Sequence, residues 1–216
     1  MLPLPMPSTP PDHGPPLAGG TVWHVHDAND PDRDAVQAFI ARVFARRFGA
    51  RVQQFAPQLV SLRERDSGRI VAAAGYRPAS QGPLFLEHYL DAPIEQLLAQ
   101  QAGEAVSRQG IVEVGQLAAE RAGEGRRLIL LLGQHLATQP VEWVTSTLTQ
   151  ELRQLFVRLG VTPLALGHAH PLALGPQAQA WGSYYDHHPV VLAGRLQAAL
   201  RLIRQRSTPP ITPSLP

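Results

Sequence analysis

Apolar and polar positions change period several times along the chain, and the changes mark out alternating strands and helices. Residues 21–26 (TVWHVH) alternate with period two, as expected of a strand with one covered face. After Asp32 and Asp34, either of which suits a helix N-cap, Val36, Phe39, Ile40, Val43 and Phe44 recur at helical spacing as far as Gly49. This predicts an amphipathic helix with a glycine stop. Residues 55–63 and 70–76 read as two strands joined by a turn at 64–69, where Gly68 accepts a positive φ without penalty. Pro83 and Pro93 each suit the start of a short helix, the first over LFLEHYLD and the second over IEQLLAQQAG. A strand at 111–117, a strongly apolar helix at 125–137, a strand at 141–148, a helix at 150–159 stopped by Gly160 and a strand at 161–166 follow. Residues 190–206 support two readings. One is a long amphipathic helix with Leu192, Leu196, Ala199 and Ile203 on a stripe beside Arg195, Arg201, Arg204 and Arg206; the other begins with a strand at 189–193.

An early β-β hairpin followed by β-α-β units predicts an α/β fold, a mixed central sheet with helices on both faces. Seven of the 21 prolines fall in residues 1–20 and four more in 207–216, so both tails are expected to be disordered around one domain at 21–206.

Composition narrows the chemistry. All 19 residues of the Lys+Arg count are Arg. Without Lys there is no Schiff-base enzyme, P-loop NTPase or protein kinase. Without Cys there is no thiol nucleophile, disulfide or thiolate metal site. No run approaches the ~20 apolar residues of a membrane span, and the Pro-rich start lacks a basic region and a helical apolar stretch, which predicts a cytoplasmic protein. The net charge of +2 is a weak argument for nucleic acid and a better one for a local basic patch, so no nucleic-acid partner is expected. The Arg-rich stripes at 36–51 and 190–206 leave peripheral contact with an anionic membrane open.

Among polar residues, Glu113 stands between Val112 and Val114 in a strand. Such a glutamate either faces solvent or is buried with a partner. Arg77, on a neighbouring strand, is the candidate partner, as a structural ion pair or as a clamp for a substrate carboxylate. Glu87 and Asp91 lie four apart, on one face if LFLEHYLD is helical. His24 with His26, His168 with His170, and His187 with His188 form close pairs, but without HExxH or an attendant carboxylate they predict no metal site. No GxSxG motif is present, so a hydrolase triad is not expected.

Four segments taken in order, AGYRPA (74–79) with PLFLEHYLD (83–91), VEVGQLA (112–118), FVRLG (156–160) and WGSYYD (181–186) with Pro189-Val190, resemble the thermostable hemolysin family over residues 44–194. The resemblance implies a GNAT-like fold similar to that of the acyl-homoserine-lactone synthases. It further implies an acyltransferase moving an acyl group, long enough to use the apolar helices around Phe85, Leu90 and Leu97, from a thioester to an amine or amino acid. The thioester of coenzyme A or of acyl carrier protein would be a co-substrate, and no tightly bound cofactor is expected. In that scheme Glu113 is the base or its orienter, Glu87 a second acidic group and Tyr184 a donor to the leaving thiolate. Arg77, Asp91, Trp181 and Tyr185 line the substrate site. Leu117, Arg121, Gly123, Gly125, Arg126 and Arg127 surround the donor, whose phosphates would meet a helix N-terminus. The donor loop carries Glu120 where acetyltransferases place Gln or Arg, which leaves the single phosphate of acyl carrier protein as good a fit as coenzyme A. The alternative is a cytolysin that binds bilayers through the Arg-rich helices without covalent chemistry.

Overall fold

A computed structural model describes residues 20–207. Both Pro-rich tails, at 1–20 and 207–216, fall almost entirely outside the described residues. Seven strands form one sheet in the order β1-β2-β3-β4-β5-β7-β6. They are β1 (Thr21–His26), β2 (Gln58–Glu64), β3 (Ile70–Pro78), β4 (Ile111–Ala119), β5 (Trp143–Leu148), β6 (Leu164–His168) and β7 (Val190–Arg195). β1 to β4 pair antiparallel in sequence order, β4 and β5 pair parallel, and β7 lies antiparallel between β5 and β6.

Helices cover both faces, as expected. On one face α1 (Arg33–Phe48) buries Val36, Phe39, Ile40, Val43, Phe44 and Phe48 against Leu59, Ala73 and Ala118. Its apolar stripe therefore packs into the core, each fully buried large side chain contributing roughly 1.5–3 kcal/mol. Beside it, α2 (Ile94–Ala102) and a 3-10 turn at Phe85–Tyr89 cover Ile111 and Trp143. The opposite face carries α3 (Ala122–Leu136) and α5 (Leu196–Ser207), packed on Val60, Val71, Val112 and Val114. α4 (Gln150–Arg158) sets Leu152 and Phe156 against Leu148, Val190 and Leu192.

Of the two readings of residues 190–206, the one that begins with a strand holds: residues 190–195 are β7, paired along its whole length with β5, and only then does α5 begin. Four other expectations are corrected. α5 turns Leu196 and Leu200 into the core, so neither Arg-rich helix presents its apolar stripe to a bilayer. Segment LFLEHYLD is a short 3-10 turn that ends before an extended Leu90. α3 begins at Ala122, three residues before the predicted start, because glycines are tolerated in a first turn whose N–H groups have no helical partners. At α1, Asp32 occupies the N-cap position but its side chain makes no cap hydrogen bond.

α1 ends on Gly49 in the left-handed conformation. There the aromatic segment 181–185 is stapled to it: the N–H and Oγ of Ser183 both donate to Phe48 O, and Arg51 N–H donates to Ala180 O at 2.6 Å. Gly182 makes this approach feasible. It has φ +52°, and a Cβ built there would lie 2.1 Å from Phe48 O. Gly182→Ala is therefore expected to destabilise the protein by about 2 kcal/mol or more, read as a lowered thermal midpoint. Unchanged stability would mean that segment 181–185 is not seated as described.

Candidate active site

The parallel pairing of β4 with β5 extends over three residue pairs, Ile111 with Trp143, Val112 with Val144 and Glu113 with Thr145. Beyond Glu113 the strands part. β4 carries a bulge in the same stretch: Gly75 of β3 faces Gly115, but Ala73 faces Ala118, so β4 has one residue too many. Gln116 absorbs it with φ +55°. The bulge reverses the alternation. Glu113, Gly115 and Ala118 face α1, whereas Val114 and Leu117 face α3 and α5.

On the α1 side the opening is a cavity of about 250 Å³. Glu113, Gly115, Gln116 and Thr147 form its floor, and Arg77 stands at one side. Phe44, Phe85, Tyr89, Trp181 and Tyr184 supply an aromatic wall, and the loop residues Arg51–Ala56 close it. Glu113 is 9% exposed. Its carboxylate accepts the backbone N–H groups of Phe85 (2.8 Å) and Leu86 (3.0 Å). Burial nevertheless dominates and raises its proton affinity above that of an ordinary carboxyl. Arg77 lies opposite Glu113 in the β3–β4 register, and its charge partly offsets the effect of burial on that carboxyl without a direct hydrogen bond between them. The Arg77 guanidinium donates instead to Pro83 O at 3.2 Å.

Around this floor the aromatic rings pack against one another. Trp181 and Tyr184 have centroids 5.4 Å apart, and Phe85 and Trp181 5.6 Å. The Tyr184 hydroxyl donates to Thr147 O at 3.3 Å, and burial raises its proton affinity further. The hydroxyls of Tyr89 and Tyr185 meet at 2.8 Å. On the other side of the sheet lies an apolar cavity of about 100 Å³, between Val114, Leu117, Val144, Leu148 and the inner faces of α3 and α5. A smaller pocket of about 50 Å³ shares Gly115, Gln116, Thr147 and Tyr184 with the first cavity, and Val114 and Leu117 with the second.

The structure thus brings Glu113, Arg77, Trp181 and Tyr184 to one cavity, with Tyr185 behind Tyr89 and Leu117 on the apolar side. Glu87 is elsewhere. Its two oxygens take both Nη groups of Arg108 at 2.7 Å and also accept the N–H groups of Leu84 and Ile94. The Arg108 hydrogen bonds hold its carboxyl well below the usual range, near pKa 2. Asp91 lies on the exposed surface near this ion pair and does not share a helical face with Glu87. Arg121 is the N-cap of α3 and Gly123, Gly125, Arg126 and Arg127 lie in its first turns, all outside the 250 Å³ cavity. Glu120, just before them, pairs with Arg69 and Arg42. Tyr89, Thr147, Gln116 and loop 51–56 were not singled out in the sequence; only the slip from even to odd apolar positions between Val114 and Leu117 hinted at the bulge.

A family model described as thermostable hemolysin matches residues 26–200. The chain belongs to the thermostable hemolysin family. Comparison with curated proteins gives no match. Among solved structures, the hemolysin-family fold is similar to that of the acyl-homoserine-lactone (AHL) synthase LasI, with TM-score 0.56 and 15% identity over 83% of this chain and 94% of that one. It is similar also to FeeM, an N-acyl amino acid synthase from uncultured soil microbes, with TM-score 0.57 and 13% identity over 83% and 92%. A third is BjaI, a coenzyme A-dependent acyl-homoserine lactone synthase solved with SAM and isopentyl-CoA, with TM-score 0.57 and 15% identity over 89% and 92%. At these identities the likeness establishes a GNAT-like fold for this hemolysin-family chain.

The Glu87–Arg108 pair predicts a structural phenotype. Because Glu87 has a depressed pKa in the folded state, its contribution is complete above the unfolded value of about 4.5 and is lost as pH falls toward 2. Glu87→Gln is expected to lower stability at pH 7 by about 1–3 kcal/mol and to flatten stability against pH in that window. Denaturant melts at several pH values check this; equal curves would dismiss the strut.

Proposed function

We propose that the protein is an N-acyltransferase that moves an acyl group from a thioester, of coenzyme A or acyl carrier protein, to the amino group of a small acceptor. The observation that carries this is the position of Glu113, a buried carboxylate of raised proton affinity on the floor of a cavity where two parallel strands part. An acceptor amine is an ammonium at neutral pH and must lose a proton before its nitrogen can attack a thioester carbonyl. A carboxylate of ordinary acidity is too weak a base for this, and burial makes Glu113 a better one.

In this reading the acceptor occupies the α1-side cavity. The Arg77 guanidinium fits an acceptor carboxylate, which favours amino acids, and the aromatic wall fits an apolar side chain. The donor arm lies in the cleft, where β4 beyond Glu113 offers backbone groups that β5 does not pair. The acyl chain enters the apolar cavity behind Val114 and Leu117. Nitrogen attack forms the C–N bond, collapse of the tetrahedral intermediate breaks the C–S bond, and the thiolate takes up a proton. Glu113 receives one proton from the amine and returns it to solvent. Tyr184 stands in the cleft wall with its hydroxyl on Thr147 O, and burial, which raises its proton affinity, makes it a weaker acid toward the leaving thiolate.

Thiol release is the test, measured over a panel of acyl-CoA and acyl carrier protein thioesters with and without pooled amino acids and amines. Mass spectrometry should find a new amide. Glu113→Gln, folded, should lower kcat/KM by about 10²–10⁴-fold. In the wild type, kcat/KM should fall on acidification through a pKa above the usual carboxylate range, and this limb should be missing from the residual activity of the variant. Silence across the panel, or an undiminished variant, would overturn the assignment.

A further inference from the structure

Gln116 adopts a backbone conformation that favours glycine, in the central strand, and a bulge alone does not require a glutamine there. Glycine would form the same bulge without steric cost. The side chain explains the choice. Its Nε2 donates to Gln54 O at 2.6 Å, and its Oε1 accepts from Ala56 N–H at 3.3 Å. These residues belong to the connection between α1 and β2, which supplies Arg51–Ala56 to the wall of the 250 Å³ cavity. The connection is tied at its start by Arg51 N–H to Ala180 O. At its end Arg33 donates to Ala56 O and Pro57 O. Between those anchors, Gln116 is the side chain that holds it.

The seat beneath is shaped to match. A Cβ on Gly75 of β3 would lie 2.7 Å from Ala56 Cβ and 2.9 Å from Gln116 Oε1. The loop therefore rests directly on the sheet backbone, and a side chain at Gly75 would lift it.

We propose that Gln116 is a positioning residue for the acceptor: its side-chain amide straps loop 51–56 down as the cavity wall and so sets acceptor affinity. This rests on the acyltransfer reading of the cavity. It goes further in assigning acceptor selection to a loop remote in sequence from Glu113 and Arg77, and to one hydrogen-bonding side chain that touches that loop.

Two variants test it. Gln116→Gly keeps the bulge and removes the strap. Gln116→Asn keeps an amide and tolerates positive φ, but is one methylene too short to span to the loop. Both are expected to fold, relief of the positive-φ strain offsetting part of the two lost hydrogen bonds. Both should show faster hydrogen–deuterium exchange across residues 51–56. Acceptor KM should rise about tenfold, the effect of losing two modest hydrogen bonds, while donor KM moves by less than about threefold on the same scale. Unchanged exchange in a folded variant overturns the strap. Faster exchange with an unchanged acceptor KM overturns its role in acceptor binding. If the variants show faster exchange but the wild type shows no acceptor-dependent turnover, the acyltransfer reading and the acceptor role both fall, and only the mechanical tie survives.

Discussion

The site depends on the early end of the pairing between β4 and β5. Backbone groups inside a sheet are normally paired, and leaving them unpaired in an apolar interior costs roughly 1–3 kcal/mol each. Here β5 continues with β7 through Leu148 and β4 with β3 through Ala119, so the facing edges of β4 and β5 both open after Glu113 and Thr145. The opening is bordered on both sides by space: the aromatic cavity toward α1 and the apolar one toward α3 and α5. The bulge at Gln116 makes the two sides chemically different. Without that extra residue, Leu117 would sit on the Glu113 side and Ala118 among α3 and α5.

Glu113 owes its character to a chain of supports that starts well away from it. Burial alone would drive its carboxyl toward the neutral form, and the N–H groups of Phe85 and Leu86 partly oppose this. Those donors belong to a 3-10 turn whose neighbours are gathered by Glu87, and Glu87 is in turn gripped by Arg108, which also donates to Glu95. Two glutamates thus acquire opposite properties. One is held ionised by a guanidinium, and the other is made a stronger base by the dry floor it stands on.

How much of this was legible follows from the range of each interaction. Strands and helices with a covered face were read nearly to their ends, because periodicity reports burial locally: α1 stops at Gly49, and β1 spans the residues that alternate. The site residues with local signals, Glu113 between two valines and the WGSYYD aromatics, were also found. Glu87 was read as chemistry because its partner, Arg108, lies 21 residues away and no local pattern announces it. Local pattern left residues 190–206 open between a helix and a strand for the same reason, since β7 is fixed by its long-range pairing with β5. Loop 51–56 has no periodicity at all, and its importance appears only once Gln116 is seen to reach it.

The family name speaks of lysis, and the fold bears on how a lytic phenotype could arise. A protein that lyses directly needs apolar surface to give to the bilayer, in a span or on an amphipathic face. Among the described residues no helix is long and apolar enough to cross a membrane. The stripes of α1 and α5 that drew attention in the sequence are turned inward onto the sheet, so exposing either would dismantle the core. The apolar pocket between Val114, Leu117 and the inner faces of α3 and α5 lies beside the cleft instead, and on the acyltransferase reading it takes the acyl chain. On the acyltransferase reading, the agent that disturbs membranes is the product. An acyl chain joined to an amino acid is an amphiphile, and each added methylene that partitions into lipid strengthens its membrane affinity by about 0.8 kcal/mol. Lytic strength would then follow the acyl length that the cavity behind Val114 and Leu117 admits.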